Sequence, residues 1–324
     1  MIKLLSTFIV LTVLGILYDK YKAKYVKDEE LDKYSIIQKF LLNGQTNADI
    51  KPVLWIHTTH DINARNWNSF YSRNSRELNQ PYLSLCLESI VKNCADSFNI
   101  CLIDDDSFIK LLPKWNIVLN DLASPIKEHV RSLAMARILY IYGGMQIPMT
   151  TILFKNLYPL YSNSLTSHDS FVGETINGNI SSTYTHTYTN KDIIGCKRNS
   201  NTMLEYIKYL EVLNSRDHTN EIEFIGDIER VLYRFTHENK MKMIPATFLG
   251  ATDSQNKDIL IDDLLSDTYI NINDDCYCIV IPHKELLTRS KFAWFNRLSR
   301  PQVLTAKTMI SKFLLIALHN GAYN

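Results

Sequence analysis

Ala136–Ile147 reads ARILYIYGGMQI, and the fold turns on this stretch. It is the end of an amphipathic helix, predicted over Ile126–Tyr142, stopped by two glycines. Gly143 suits a left-handed cap, and Gly144 lets the chain leave sharply into a short strand, Met145–Ile147. By itself this is helix-to-strand punctuation, so its meaning depends on what surrounds it.

Upstream, PVLWIH (Pro52–His57) reads as a buried strand, LSLCLESIVKNC (Leu83–Cys94) as a helix and Phe98–Ile103 as a second strand, which together make a βαβ unit. Asp104, Asp105 and Asp106 close that strand and open a short helix, SFIKLL, that Pro113 ends. Downstream, strands are expected at Ser170–Gly173, Ile193–Cys196 and Cys278–Pro282, and helices at Asn201–Asn214, Glu221–His237 and Pro301–Leu318. The alternation predicts an α/β fold with a mixed, mostly parallel sheet of Rossmann-like type. No internal repeat and no Pro- or Gly-rich linker divides residues 50–324, so they read as one domain.

Ahead of it, Leu4–Tyr18 carries no charge and is flanked by Lys3 and by Lys20, Lys22, Lys24 and Lys27. At roughly 1.5 Å per residue it covers about 22 Å, enough for a thin bilayer with lysine snorkelling. Residues 1–19 are therefore expected to form a transmembrane or signal-anchor helix that meets the membrane through residues 2–18, and residues 20–49 a helical stalk. The four following lysines favour a cytosolic body, whereas a Golgi-type enzyme needs the reverse, so sidedness stays open. Thirty-five Lys and Arg against 34 Asp and Glu provide no basic field for a nucleic-acid backbone, and nucleic acid is excluded as a partner. Six cysteines without a C-x-x-C pair indicate neither a zinc ribbon nor a redox motif. Cys276 and Cys278 read as buried small residues, with a metal as the alternative. No P-loop and no G-x-G-x-x-G is present.

A strand ending W-I-H, a second ending L-I-D-D, and then R-S-L-A-M-A-R-I-L-Y-I-Y-G-G at this spacing resemble the type-A (DXD-region) glycosyltransferases, in particular the capsular-polysaccharide-synthesis and mannosyltransferase-like group. The resemblance covers about Lys51–Val172. It implies a nucleotide-sugar-transferase-like (GT-A) domain in which a strand after the double glycine closes on Asp-x-Asp. Those carboxylates hold Mn²⁺ or Mg²⁺ against the donor's diphosphate. Here Pro148, Met149 and Thr150 stand at the Asp-x-Asp positions, and Gln146 replaces the usual aromatic. The family's Ser-Asp-x-x-Arg falls on Arg131–Met135, where Ser132 and Met135 replace the acid and the arginine. No metal ligand is therefore expected, although the family uses Mn or Mg.

The candidate nucleotide-sugar-binding residues are His57 and Asp104, at the carboxyl ends of the first two strands where open α/β sheets bind ligands, Arg131, which can meet a diphosphate bidentately, and Gly143, Gly144 and Gln146 at the double glycine. Glu174 in F-V-G-E is the candidate catalytic carboxylate, as a base in an inverting transfer or a lining of the acceptor cleft in a retaining one. Plainer roles compete: packing for His57, helix capping for Asp105 or Asp106, an ion pair with Glu128 for Arg131. His283, after the late strand, stands where such enzymes often place a third ligand, but without the carboxylate pair it completes nothing. Two functions follow. One is a membrane-tethered glycosyltransferase moving a sugar from a nucleotide-sugar donor to a glycan acceptor, with the loss of metal ligands compensated by side-chain cations. The other is a catalytically inactive glycosyltransferase fold serving as a structural or binding protein, for example a membrane-associated or capsid component of a large DNA virus.

Overall fold

The computed structural model describes residues 51–58, 80–176, 186–216 and 221–319. The expected membrane segment and stalk lie outside the described residues, as do residues 59–79 before Gln80. Among the described residues no helix is long and apolar enough to cross a membrane. The chain divides into two compact units: Ser107–Ile117 belongs to one, and Lys51–Asp106 with Val118–Asn324 forms the other.

In the larger unit the predicted βαβ is present. β1 (Val53–His57) and β2 (Asn99–Ile103) are parallel and in register from Val53↔Asn99 to His57↔Ile103, joined through α1 (Pro81–Cys94). In Ser107–Ile117, a short helix α2 (Ser107–Leu111) is followed by a turn in which the Trp115 ring lies 6.4 Å from that of Phe108.

The helix ending at the double glycine, α3 (Ile126–Tyr142), delivers the chain into β3 (Gly144–Gln146), parallel to β1 on the side away from β2. Both glycines are required, for different reasons. Gly143 takes φ 71° and ψ −167°, which is not the left-handed cap expected but a region essentially reserved for glycine. Gly144 has φ 99°, and a Cβ there would meet the Val53 carbonyl oxygen at 2.1 Å. The close approach lets β3 pair with β1, and the buried Trp55 indole donates to the Gly143 carbonyl at 2.9 Å to fix the crossing.

Beyond β3 come β4 (Thr151–Leu153), α4 (Tyr158–Ser167), β5 (Ser170–Ile176), β6 (Thr187–Cys196), α5 (Asn201–Asn214), α6 (Glu221–His237) and β7 (Lys242–Ile244). The main sheet has the order β2-β1-β3-β6-β5-β7. Its β1–β2, β1–β3 and β5–β7 pairs are parallel and its two pairs through β6 antiparallel, so the mixed α/β sheet is present. A core of Leu54, Ile56, Ile90, Met145, Phe171 and Ile193 packs against it.

Two expectations need correction. The late strand, β8 (Cys278–Val280), pairs with β4 in a separate two-stranded sheet instead of joining the main one. After α7 (Ile261–Leu264) and α8 (His283–Thr288), the single helix expected over Pro301–Leu318 is two, α9 (Arg300–Thr305) and α10 (Met309–His319). The Thr308 hydroxyl accepts from the Ser311 backbone N–H at 3.2 Å and caps the new start, which ends the pattern that periodicity alone would continue. α10 and α1 bury a second core that includes Tyr82, Leu85, Ile279, Phe295 and Phe313. Cys276 and Cys278 are buried within these cores, where burial pushes the Cys276 thiol up to about 11.

Candidate functional site

β2 lies on one side of β1 and β3 on the other, so the connections leaving the carboxyl ends of β1 and β3 run in opposite directions across the sheet. Such a switch point leaves a crevice where open α/β sheets bind ligands. Here it opens into a cavity of about 980 Å³. His57 and Thr58 at the end of β1, Gln146 and Ile147 at the end of β3, and then Pro148, Met149 and Thr150 contribute to its wall.

The α3 face of the wall carries Glu128, Arg131, Ser132 and Met135. Arg131 is held by a carboxylate other than the expected Glu128. Its Nε and Nη2 donate to the two oxygens of Asp105 at 2.7 and 2.6 Å, while His57 Nε2 meets the same carboxylate at 2.9 Å and Lys127 Nζ lies 3.5 Å away. The side chains of His57, Asp105 and Arg131 are 11 to 16% exposed, so this ion cluster is largely out of water. Burial pushes the Asp105 carboxyl up, but the hydrogen bonds and charges of Arg131 and His57 outweigh it and hold the group well below the usual carboxylate range. Asp106 accepts from Asn120 Nδ2 at 2.9 Å. Asp105 is thus an internal anion occupying the guanidinium fork.

Opposite, β6 supplies Asn190, Lys191 and Asp192. The β5–β6 register jumps here, from Val172↔Ile194 to Gly173↔Asn190, so Lys191–Ile193 form a bulge. Bulges re-aim side chains, and this one brings Lys191 and Asp192 to the wall, paired at 2.9 Å. A further part of the wall comes from the start of α8, with His283, Lys284 and Glu285, and from Arg300, which pairs with Glu88.

Of the residues singled out from sequence, the structure brings His57, Arg131, Gln146 and His283 to the cavity. Gly143 and Gly144 shape the turn behind it, and Asp104 is partly buried but not in the wall. Glu174 is also outside the wall, with its carboxylate accepting from the Thr187 hydroxyl and, at 2.9 Å, from the Ala246 N–H. Sequence reasoning missed Asp105 as the partner of Arg131, the Lys191–Asp192 pair, and Gln80. The only signal for the bulge was the polar break N-K-D within an otherwise strand-like run.

No family model matches the chain, and no curated protein does. Among solved structures, one titled "PaToxG Glycosyltransferase" is similar at 12% identity, over 93% of this chain and 95% of that one, with a TM-score of 0.33. The likeness is a loose one.

Among the described residues, the divalent cation implied by the sequence resemblance has no fitting donor set. Pro148, Met149 and Thr150 face the cavity where carboxylates would have to stand, and they offer one hydroxyl and a thioether to a hard cation that prefers carboxylate oxygens. Among the described residues no three His, Cys, Asp or Glu side chains gather into a ligand set. The charged groups of the wall are close to balanced, with Arg131, Lys191, Lys284 and Arg300 set against Glu128, Asp192 and Glu285.

Proposed function

We propose that the cavity takes a nucleotide sugar, and that the chain is a glycosyltransferase-like protein that moves the sugar to a glycan acceptor without a resident divalent cation. The observation that carries this reading is the cavity of about 980 Å³ at the switch point between β1 and β3, at the upper end of ordinary small-molecule sites. In the transfer the bond between the anomeric carbon and the diphosphate oxygen breaks, and an acceptor hydroxyl oxygen bonds to that carbon and gives up its proton. Charge on the departing diphosphate would be met by Arg131, Lys191 and Lys284, and Asp192 or Glu128 offers a carboxylate to take the proton. Residues 2–18 would tether the protein to a bilayer.

A second reading is a site that holds the same ligand class and does not turn it over. It is favoured by the lack of carboxylates at positions 148–150 and by the commitment of Arg131, Lys191 and Arg300 to Asp105, Asp192 and Glu88. One experiment tests both: thermal shift and donor hydrolysis across a panel of nucleotide sugars, each with Mn²⁺ and with EDTA. Stabilisation with hydrolysis supports transfer, and stabilisation alone supports the binding protein. A folded protein that responds to no donor refutes both.

A further inference from the structure

α1 begins in an unusual way. Its N-cap, Gln80, is a non-glycine residue at φ 63°, directly before Pro81, although a following proline steers a residue to extended backbone. Gln80 is only 2% exposed and lines the cavity, and among the described residues neither its amide oxygen nor its amide nitrogen has a hydrogen-bond partner. Two residues on, the Tyr82 hydroxyl pairs with His283 Nδ1 at 2.7 Å, and the Tyr82 ring, fully buried, packs 5.5 Å from Phe295. This fixes the His283 ring, whose other nitrogen, Nε2, is buried at the same cavity without a partner among the described residues. One helix start therefore positions two buried polar groups that the protein leaves unsatisfied, on strained backbone. Buried polar groups are nearly always paired, and strain of this kind persists where it serves a site.

We propose that Gln80 and His283 Nε2 form a hydrogen-bonding subsite for an uncharged ligand group that presents a donor and an acceptor side by side. The primary amide of Gln80 offers one of each, which matches the amide edge of a nucleobase or a pair of sugar hydroxyls. A phosphate does not fit. Pro81 removes one N–H from the helix start, the Leu83 N–H is taken by the Gln80 carbonyl at 3.0 Å, and burial lowers the His283 pKa and keeps the ring neutral. This inference rests on the cavity being the ligand site of the proposed function and names what part of the ligand it reads.

The test uses the full chain and two neutral probes, uridine and free hexoses (glucose, galactose, mannose), followed by calorimetry or thermal shift beside the nucleotide-sugar panel. Binding of uridine assigns the subsite to the base, and binding of a hexose assigns it to the sugar. Gln80→Met removes the amide and keeps the length. It is expected to weaken binding of that probe about tenfold, the usual order for one hydrogen bond lost, while the ligand-free melting temperature stays level or rises because a buried unpaired amide is gone. Gln80→Gly, which accepts positive φ without strain, provides the same loss of affinity should the Met side chain fail to pack. His283→Phe is expected to weaken the probe similarly. Undiminished affinity in the Gln80 variants overturns the subsite, as does a fall in ligand-free melting temperature in both, and as does no binding of either neutral probe. If nucleotide sugars bind and Gln80→Met leaves them unaffected, the subsite falls and the proposed function stands. If only a neutral probe binds and depends on Gln80, the subsite stands and the nucleotide-sugar reading falls.

Discussion

Asp105→Asn is the substitution whose consequences the structure allows to be worked out furthest. The carboxylate accepts two hydrogen bonds from Arg131, contacts His57 and lies within 3.5 Å of Lys127, with its side chain 11% exposed. An asparagine of the same shape can accept one guanidinium N–H and turns an amide N–H₂ toward the other. Removing one partner of a buried ion pair costs roughly 3–5 kcal/mol, and the partial exposure of this cluster argues for the lower end, about 3 kcal/mol. At about 2 °C per kcal/mol for a chain of this size, the melting temperature should fall by about 6 °C at pH 7. The pH dependence follows from the direction of the shift. A carboxyl whose folded pKa is depressed contributes stability that is complete above its unfolded value, about 3.9, and is lost progressively as pH falls from there toward the folded value. The gap between wild type and variant should therefore stay constant from pH 7 to about pH 5 and narrow only below about pH 4. Thermal unfolding of both proteins across that range is the assay. Equal melting temperatures at pH 7 would refute the reasoning. A gap already closing between pH 7 and pH 5 would too, since the depressed Asp105 carboxyl stays ionised across that range. A double variant, Asp105→Asn with Arg131→Met, should recover at least half of the loss, because it removes the stranded charge as well.

Gly144→Ala places a methyl group 2.1 Å from the Val53 oxygen on a backbone at φ 99°, and strain with overpacking should cost about 2–5 kcal/mol, read as a lower urea midpoint; an unchanged midpoint would show that β3 does not approach β1 closely. Arg131→Ala should weaken donor binding and also lower the melting temperature, since Arg131 holds Asp105; loss of affinity at unchanged stability would mean that the pair contributes nothing to the fold. Because positions 148–150 offer no carboxylate, donor-induced stabilisation should be the same in EDTA and in Mn²⁺, and a shift that requires Mn²⁺ contradicts the reading of that wall. Asp192→Asn should leave donor affinity within about threefold of wild type and, where donor is turned over, lower that rate by 10²-fold or more, the usual scale for a lost general base; an unaltered rate removes Asp192 from the chemistry.

Local pattern was enough to recover the parts of this fold that local chemistry decides. The V-L-W-I run of β1 is apolar at every position because both faces of a central strand are covered, and the double glycine was legible because only glycine tolerates the backbone that brings β3 onto β1. From these two elements came the switch point, and with it His57, Gln146 and positions 148–150 in one cavity. What sequence spacing could not supply is any contact chosen by tertiary approach. Glu128 lies three residues before Arg131 on the same helix and is the natural local partner, yet the sheet brings Asp105, 26 residues away, into the fork. Gln80 is hidden for a related reason, since the residue before a proline should be extended and nothing in the letters announces a left-handed one.

These non-local contacts also decide how the cavity can treat an anionic ligand. With Arg131, Lys191 and Arg300 each matched to a carboxylate, a diphosphate gains little attraction from the wall as it stands and must draw a cation away from its present partner, at about 3 kcal/mol for the buried Arg131–Asp105 pair and about 1 kcal/mol or less for the exposed Lys191–Asp192 and Arg300–Glu88 pairs. Orientation of a nucleotide sugar is then carried by its neutral parts, and the unpaired amide and imidazole at the start of α1 and α8 are where the structure leaves capacity for them. A site of this kind should discriminate among donors by base or sugar more than by the number of phosphates. Comparing one base as its monophosphate, diphosphate and sugar diphosphate would show this directly: affinities within about tenfold of one another fit a neutral wall, and a rise of 10³-fold with the second phosphate would demand a cationic cradle that the described residues do not form.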